Sequence, residues 1–275
     1  KEIGADLMLP RVDLIKTDEF DYLLFNSNDL ITNFIKNHGF WGRTESNICQ
    51  ILTDGMDKSI VIDAGANLGG FTLPVAQHLQ KQDGKVYCFE PQRIIFQQLC
   101  ANIFINRLEN VYAHNLVLGE TSKSLMIPEL DFEKAENIGG FSVEKSFRDF
   151  KKQFYSNPEN KSIDPCVVEG ITLDSLRLLK NVSFIKVDIE GAELEFFKGA
   201  RETIIQNGFP PIFFEVWDFD WYAKKAEETK DYLRNMGYEL EDVLGNVIAQ
   251  HPSYNRYLEV NKKEDKIELR LIIKK

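Results

Sequence analysis

Asp63, Gly65, Asn67 and Gly69, followed by Glu90, have the types and spacing of a nucleotide-binding cradle. The apolar run from Ser59 to Ile62 reads as a buried strand ending on Asp63. A helical pattern of Phe71, Val75, Ala76 and Leu79 follows the glycines. A strand that enters a glycine-rich turn and then a helix presents backbone N–H groups to a ligand at close range. A dinucleotide fingerprint requires Gly-x-Gly-x-x-Gly, and Asn67 stands where its second glycine belongs. Asp63 is expected to point a carboxylate into the cradle. There it would repel a pyrophosphate and suit the amino group and sulfonium of S-adenosylmethionine. Lys85 to Phe89 forms a second compact strand, and Glu90 at its end is placed to bind ribose hydroxyls. Pro91 suits the first turn of the next helix. Pro91 and Asn115 are expected to border the adenine.

Further along, Ile185-Lys-Val-Asp188-Ile-Glu190-Gly-Ala-Glu193 and Phe213-Phe214-Glu215 place carboxylates at the ends of two more apolar strands. Ligands of open α/β sheets sit at those ends. Together with Asp63–Gly69, Phe89-Glu90-Pro91 and Leu173-Asp-Ser-Leu176, these stretches resemble the FkbM-type methyltransferases, over roughly residues 28 to 260. The resemblance implies a Rossmann-like, S-adenosylmethionine-dependent O-methyltransferase acting on a hydroxyl, often of a sugar. It also places Asp188 in the active site, facing the methionine part of the cofactor and the acceptor. Methyl transfer is an in-line displacement, for which correct placement can supply on the order of 7–11 kcal/mol. A neutral hydroxyl also needs a base, worth about 10²–10⁴-fold.

Asp188, Glu215 and His38 are the candidate catalytic residues. Asp188 reads as general base, as partner of the cofactor ammonium or as one ligand of a divalent metal; the bland reading is a carboxylate favouring the helix that follows. No metal is expected, because two carboxylates without a further partner make a sparse site. His38 lies in the Gly- and aromatic-rich stretch Asn37–Gly42, which could fold over the site. Trp41, Trp217, Gly139, Gly140 and Ser142 are candidate acceptor contacts: the tryptophans could stack on a sugar, and the glycines permit close backbone approach. Two other readings compete. One is an NAD-dependent enzyme on a similar fold, which Asp63 and Asn67 disfavour. The other is a binding module without catalysis.

These residues need a scaffold, and the periodicity supplies one. Strands are expected near 59–63, 85–89, 111–116, 182–187 and 211–217, and helices near 70–81, 91–106, 192–206 and 222–236. Near-continuous apolar strands imply a mostly parallel sheet covered on both faces. Strands near 238–243, 254–260 and 266–273 add a late antiparallel pair. Residues 1–58 read as an N-terminal extension, partly helical, packing on the active site of a methyltransferase domain over 59–275. Between the third and fourth strands, residues 119–170 read as a β insertion with a polar tip at Arg148–Ser162, an acceptor-side lid.

Composition narrows the partners. The 275 residues carry a formal charge of −10 and are 43% hydrophobic. That suits a globular α/β domain with a small-molecule or glycan acceptor, and argues against nucleic acid. No apolar run approaches the roughly 20 residues of a membrane span. Cys49, Cys88, Cys100 and Cys166 form no Cys-x-x-Cys, and Cys88 lies in a core strand. Reduced thiols and a cytoplasmic setting are therefore expected. No leader is visible, and Lys1 in place of Met suggests a chain trimmed from a longer one.

Overall fold

The computed structural model describes residues 11–129, 163–177, 180–217, 219–263 and 266–274. A seven-stranded sheet carries the architecture. Its parallel part comprises β3 (Ile60–Ala64), β4 (Lys85–Phe89), β5 (Val111–His114), β9 (Val182–Val187) and β10 (Ile212–Glu215). Two antiparallel strands, β11 (Glu239–Val243) and β12 (Asn246–Gln250), complete the order β11-β12-β10-β9-β3-β4-β5. This is the Rossmann-like α/β sheet expected from the sequence, with its late antiparallel pair. The pair itself differs from expectation. Its second strand is β12, which periodicity passed over in favour of 254–260. Leu244 (φ 51°) and Gly245 (φ 85°) form a two-residue turn of left-handed backbone, the geometry that closes a tight hairpin.

Helices cover both faces. On one lie α2 (Arg43–Thr53), α3 (Thr72–Gln80) and α4 (Arg93–Ile105). On the other lie α5 (Glu193–Gly199), α6 (Arg201–Gln206) and α7 (Ala223–Asn235). Strand pleating sorts the core: Val61 and Phe184 join the first layer, while Ile62 and Ile185 join the second. The expected single helix over 192–206 is split at Ala200. Gly199 passes so close to the turn at Gly119 that a Cβ would lie 2.0 Å from its carbonyl oxygen. Asp174 then caps the second piece, accepting from the N–H groups of Glu202 (3.0 Å) and Thr203 (2.7 Å).

The N-terminal segment contains α1 (Leu30–His38) and α2, with a hairpin of β1 (Val12–Lys16) and β2 (Asp21–Phe25) that the sequence reading missed. A polar stripe along α4 and its C-cap, Asn106, holds this hairpin. Asn102 Oδ1 accepts from Leu23 N–H (2.7 Å), Asn106 Oδ1 from Asp21 N–H (2.9 Å), and Gln98 Nε2 donates to Leu23 O (2.7 Å). After β5, which stops at His114 rather than 116, the chain leaves the main sheet. β6 (Val117–Leu118), β7 (Lys123–Glu129) and β8 (Ile163–Ile171) form a small three-stranded sheet. Gly139, Gly140, Ser142 and the 148–162 tip lie outside the described residues. A final hairpin, β13 (Arg256–Lys263) and β14 (Lys266–Ile273), packs Leu258, Leu269 and Leu271 against the first core layer. Among the described residues no helix is long and apolar enough to cross a membrane.

Candidate active site

A cavity of about 240 Å³ opens at the carboxyl ends of β3, β4, β9 and β10. The glycine turn forms its floor. Gly65 and Ala66 donate their N–H groups to Phe89 O at 3.0 Å, which ties the turn to β4. Gly65 has φ 82°, and a Cβ there would lie 1.7 Å from the Asp188 carbonyl oxygen. Asn67 adopts φ 50°, a conformation asparagine tolerates better than most residues. Its N–H donates to Glu90 Oε2 at 2.9 Å. Gly69 does not line the cavity; it faces Leu73 and Leu99 and allows α3 and α4 to approach.

Glu90 and Pro91 line the wall above this turn. The Glu90 carboxylate is 5% exposed and also accepts from Gln92 N–H at 2.8 Å. Burial pushes its carboxyl up to about 7, against the pull of these two backbone donors and of Lys186. Asn115 is not on the lining. Its side-chain amide donates to Glu90 O (2.8 Å) and Pro91 O (2.9 Å), bracing the strand end; Leu116, Val117 and Leu118 line the wall there instead.

Asp63 corrects the sequence reading. Its carboxylate is fully buried and turned away from the cavity, accepting from Thr72 Oγ1 at 2.5 Å and pairing with Lys186 Nζ at 3.2 Å. The parallel register sets Asp63 beside Lys186 on the same sheet face, so the buried charges meet. Lys186 also reaches Gly65 O (2.8 Å) and Asp188 (3.4 Å). Burial alone would lower its pKa, but Asp63 and Asp188 raise it overall, and it is held charged.

Asp188 ends β9 on the cavity with its side chain 44% exposed. The following turn takes two left-handed residues, Glu190 (φ 57°) and Gly191 (φ 95°). Glu193 braces it. Its buried carboxylate accepts from Ile189 N–H (3.3 Å), Gly191 N–H (3.1 Å) and Tyr222 OH (2.9 Å). Asp188, Glu190 and Glu215 bring carboxylate oxygens within 4.8 Å of one another, a set that could hold a divalent cation. Glu190 is the member sequence reasoning did not count. Burial and then the charges of Asp188, Glu190 and Glu193 push the Glu215 carboxyl far upward, opposed by a hydrogen bond from Trp217. Glu215 Oε2 is buried without a hydrogen-bond partner.

Two further candidates lie off this lining. His38 is exposed in the last turn of α1, its ring 4.3 Å from Phe34, and it is not part of the lining. The chain reverses at Gly39 (φ 83°), which leaves His38 on the outer face and carries Trp41 inward. Trp217 also stays off the lining: its ring packs on Gly191, where a Cβ would meet it at 2.9 Å, and on Tyr222. Trp41 does line the cavity, against Gly70. So does Glu45 on α2, which sequence reasoning missed. Its signal was weak, a single acidic residue in the first turn of a helix.

Among the described lining residues, Glu45, Glu90, Asp188, Glu190 and Glu215 face one cation, Lys186. Such a cavity fits a ligand carrying positive charge and hydroxyl donors.

Comparisons with known proteins identify the family. The model for the methyltransferase FkbM domain matches residues 63–240, from the glycine turn to the start of β11. "Methyltransferase 1" of Beauveria bassiana (strain ARSEF 2860) is 26% identical over 194 residues, covering 66% of this chain and 73% of its own. "Methyltransferase sdnD" of Sordaria araneosa is 26% identical over 204 residues, covering 62% and 71%. Among solved structures, methyltransferase FkbM from Methylobacillus flagellatus KT is similar at 17% identity and a TM-score of 0.46, over 80% of this chain and 52% of that one. This chain thus spans about half of the Methylobacillus protein. The chain belongs to the FkbM methyltransferase family, and the methyl donor that this membership implies, S-adenosylmethionine, suits the acid-lined cavity.

Proposed function

We propose that this methyltransferase methylates a hydroxyl of a small acceptor, a sugar or glycan hydroxyl first, with Asp188 as the base. The observation that carries the reading is the meeting of Asp188, Glu190 and Glu215 in the cavity that Glu90 also lines. Glu90, Pro91 and the Leu116–Leu118 wall would hold the nucleoside of S-adenosylmethionine, and the Gly65–Asn67 backbone its methionine part. When bound, the cofactor supplies an electrophilic methyl group and a neutral thioether leaving group.

The chain's own residues do the rest. Lys186 and the brace of Glu193 fix the Asp188 turn. Asp188 takes the hydroxyl proton as the acceptor oxygen forms its new bond to carbon. Glu215 holds its proton beside Asp188 and offers the acceptor a hydrogen-bonding oxygen, Oε2, that has no other partner. A second anionic carboxylate there would repel the first. The formal charge of −10 favours a small acceptor over nucleic acid.

The test uses S-adenosylmethionine labelled with ¹³C in the methyl group and a panel of sugars and hydroxylated small molecules. The product should carry the label as a methyl ether. Label on nitrogen or carbon, or label confined to a nucleic acid, would refute the reading.

A further inference from the structure

Glu45 belongs to neither the family-matched segment nor the proposed reaction, yet it lines the cofactor cavity. The chain brings it there by close packing. Gly42 precedes α2 at φ 72°, and a Cβ on it would lie 2.8 Å from Glu45 Oε1. The neighbouring Trp41 sits against Gly70 of the glycine turn, where a Cβ would meet the ring at 3.0 Å. Two positions without side chains thus let residues 41–45 settle directly on the cradle.

Glu45 shares the cavity lining with Lys186 and Asp188. The groups that act on its carboxyl are Lys186, Asp188 and Asp63, at the β3 and β9 ends. Glu45 therefore sits at the end of the cavity where β3 and β9 stop. Lys186 is already engaged there by Asp63, Asp188 and Gly65 O. Burial raises the Glu45 carboxyl, its own backbone N–H and Lys186 draw it down, and Asp188 and Asp63 raise it again. One lysine shared among these carboxylates leaves that end short of positive charge.

We infer that Glu45 binds the α-ammonium group of the methyl donor, so that the N-terminal segment supplies part of the cofactor site. This rests on S-adenosylmethionine being the cofactor. It leaves Asp188 and Glu215 for the acceptor. A carboxylate paired with an ammonium in a partly dry cavity makes a charge-assisted hydrogen bond, and its loss is felt only by ligands that carry the ammonium.

The experiment is calorimetry on the whole chain, wild type and Glu45→Gln, with two ligands. One is S-adenosylhomocysteine; the other is its desamino analogue, which lacks only the amino group. E45Q should weaken S-adenosylhomocysteine binding by about 10-fold or more, the loss of one charge-assisted contact. The affinity for the desamino analogue should stay within about twofold, since that ligand offers Glu45 nothing. A purely structural Glu45, favouring the start of α2, would weaken both ligands alike. Equal losses, or unchanged S-adenosylhomocysteine binding by E45Q, overturn the assignment. If E45Q does not fold, Glu45→Asp keeps the charge at the helix start, withdraws it from the cavity, and should show the same selectivity. Wild-type protein that binds neither ligand would overturn the cofactor together with the inference.

Discussion

Replacing Gly65 by alanine puts the central contact of the site under load. The new Cβ would lie 1.7 Å from the Asp188 carbonyl oxygen. Carbon and carbonyl oxygen normally stay about 3.3 Å apart even in attractive contact, so the Asp188 strand end must retreat by roughly 1.6 Å. That end is also held by Asp188 N–H donating to Ala64 O at 3.0 Å, so the retreat strains the β3–β9 pairing. Two costs add: about 1–2 kcal/mol for left-handed backbone at φ 82° with a side chain, and about 1–3 kcal/mol for the forced shift. Gly55→Ala separates them, because Gly55 has φ 70° with nothing within 4 Å of the added carbon. Urea unfolding should show G55A losing about 1–2 kcal/mol and G65A about 2–5 kcal/mol. Turnover by G65A should fall about 10²-fold or more, because Asp188 no longer meets the acceptor in place. Equal stability losses in the two variants, or G65A with wild-type turnover, would refute the reasoning.

Three other outcomes follow from the same geometry. Burial raises the Glu90 carboxyl from 4.5 to about 7, so the folded protein holds a proton there that the unfolded chain has released. Its contribution to stability therefore declines as pH rises from 4.5 to about 7 and is level above that. Ribose hydroxyls favour the ionised form, so calorimetry should show S-adenosylhomocysteine affinity rising with pH up to about 7; a slope that persists in Glu90→Gln would contradict ribose binding by this residue. Asp188→Asn should cut turnover by about 10²-fold or more while the protein still folds cooperatively in urea, Glu215→Gln should cut it less, and a chelator should leave the wild type active; loss of activity on chelation, restored by Mg²⁺, would replace the base with a metal held by Asp188, Glu190 and Glu215. Asn102 is fully buried and joins Leu23 N–H (2.7 Å) to Leu68 O (2.9 Å), so Asn102→Ala leaves both backbone groups without that partner and should cost about 2–4 kcal/mol in urea unfolding.

The parts of this protein that the sequence made legible are those whose physics is local. β3, β4 and β9 are mostly apolar runs, and the glycine turn needs its residue types for backbone reasons. What stayed hidden depends on contacts between distant segments. β12 is a strand because Leu244 and Gly245 fold it back beside β10, and the N-terminal hairpin is held by a stripe of amides at 98, 102 and 106. That stripe was readable: three amides at four-residue spacing, along a mostly apolar helix and its C-cap, signal a partner with backbone to satisfy.

The same distinction governs the candidate site. Asp63 looked like a ligand group because its place in the motif is visible, whereas Lys186, which captures it, is 123 residues away and becomes its neighbour only through the register of β3 and β9. Pairing Asp63 removes one carboxylate from the cavity, and Glu45 returns one from a helix that no motif includes. The charge a cationic cofactor meets is therefore set by tertiary packing around the motif as much as by the motif. A relative that keeps the glycine turn but lacks an acidic residue on its counterpart of α2 should bind the same nucleoside and hold the ammonium less tightly.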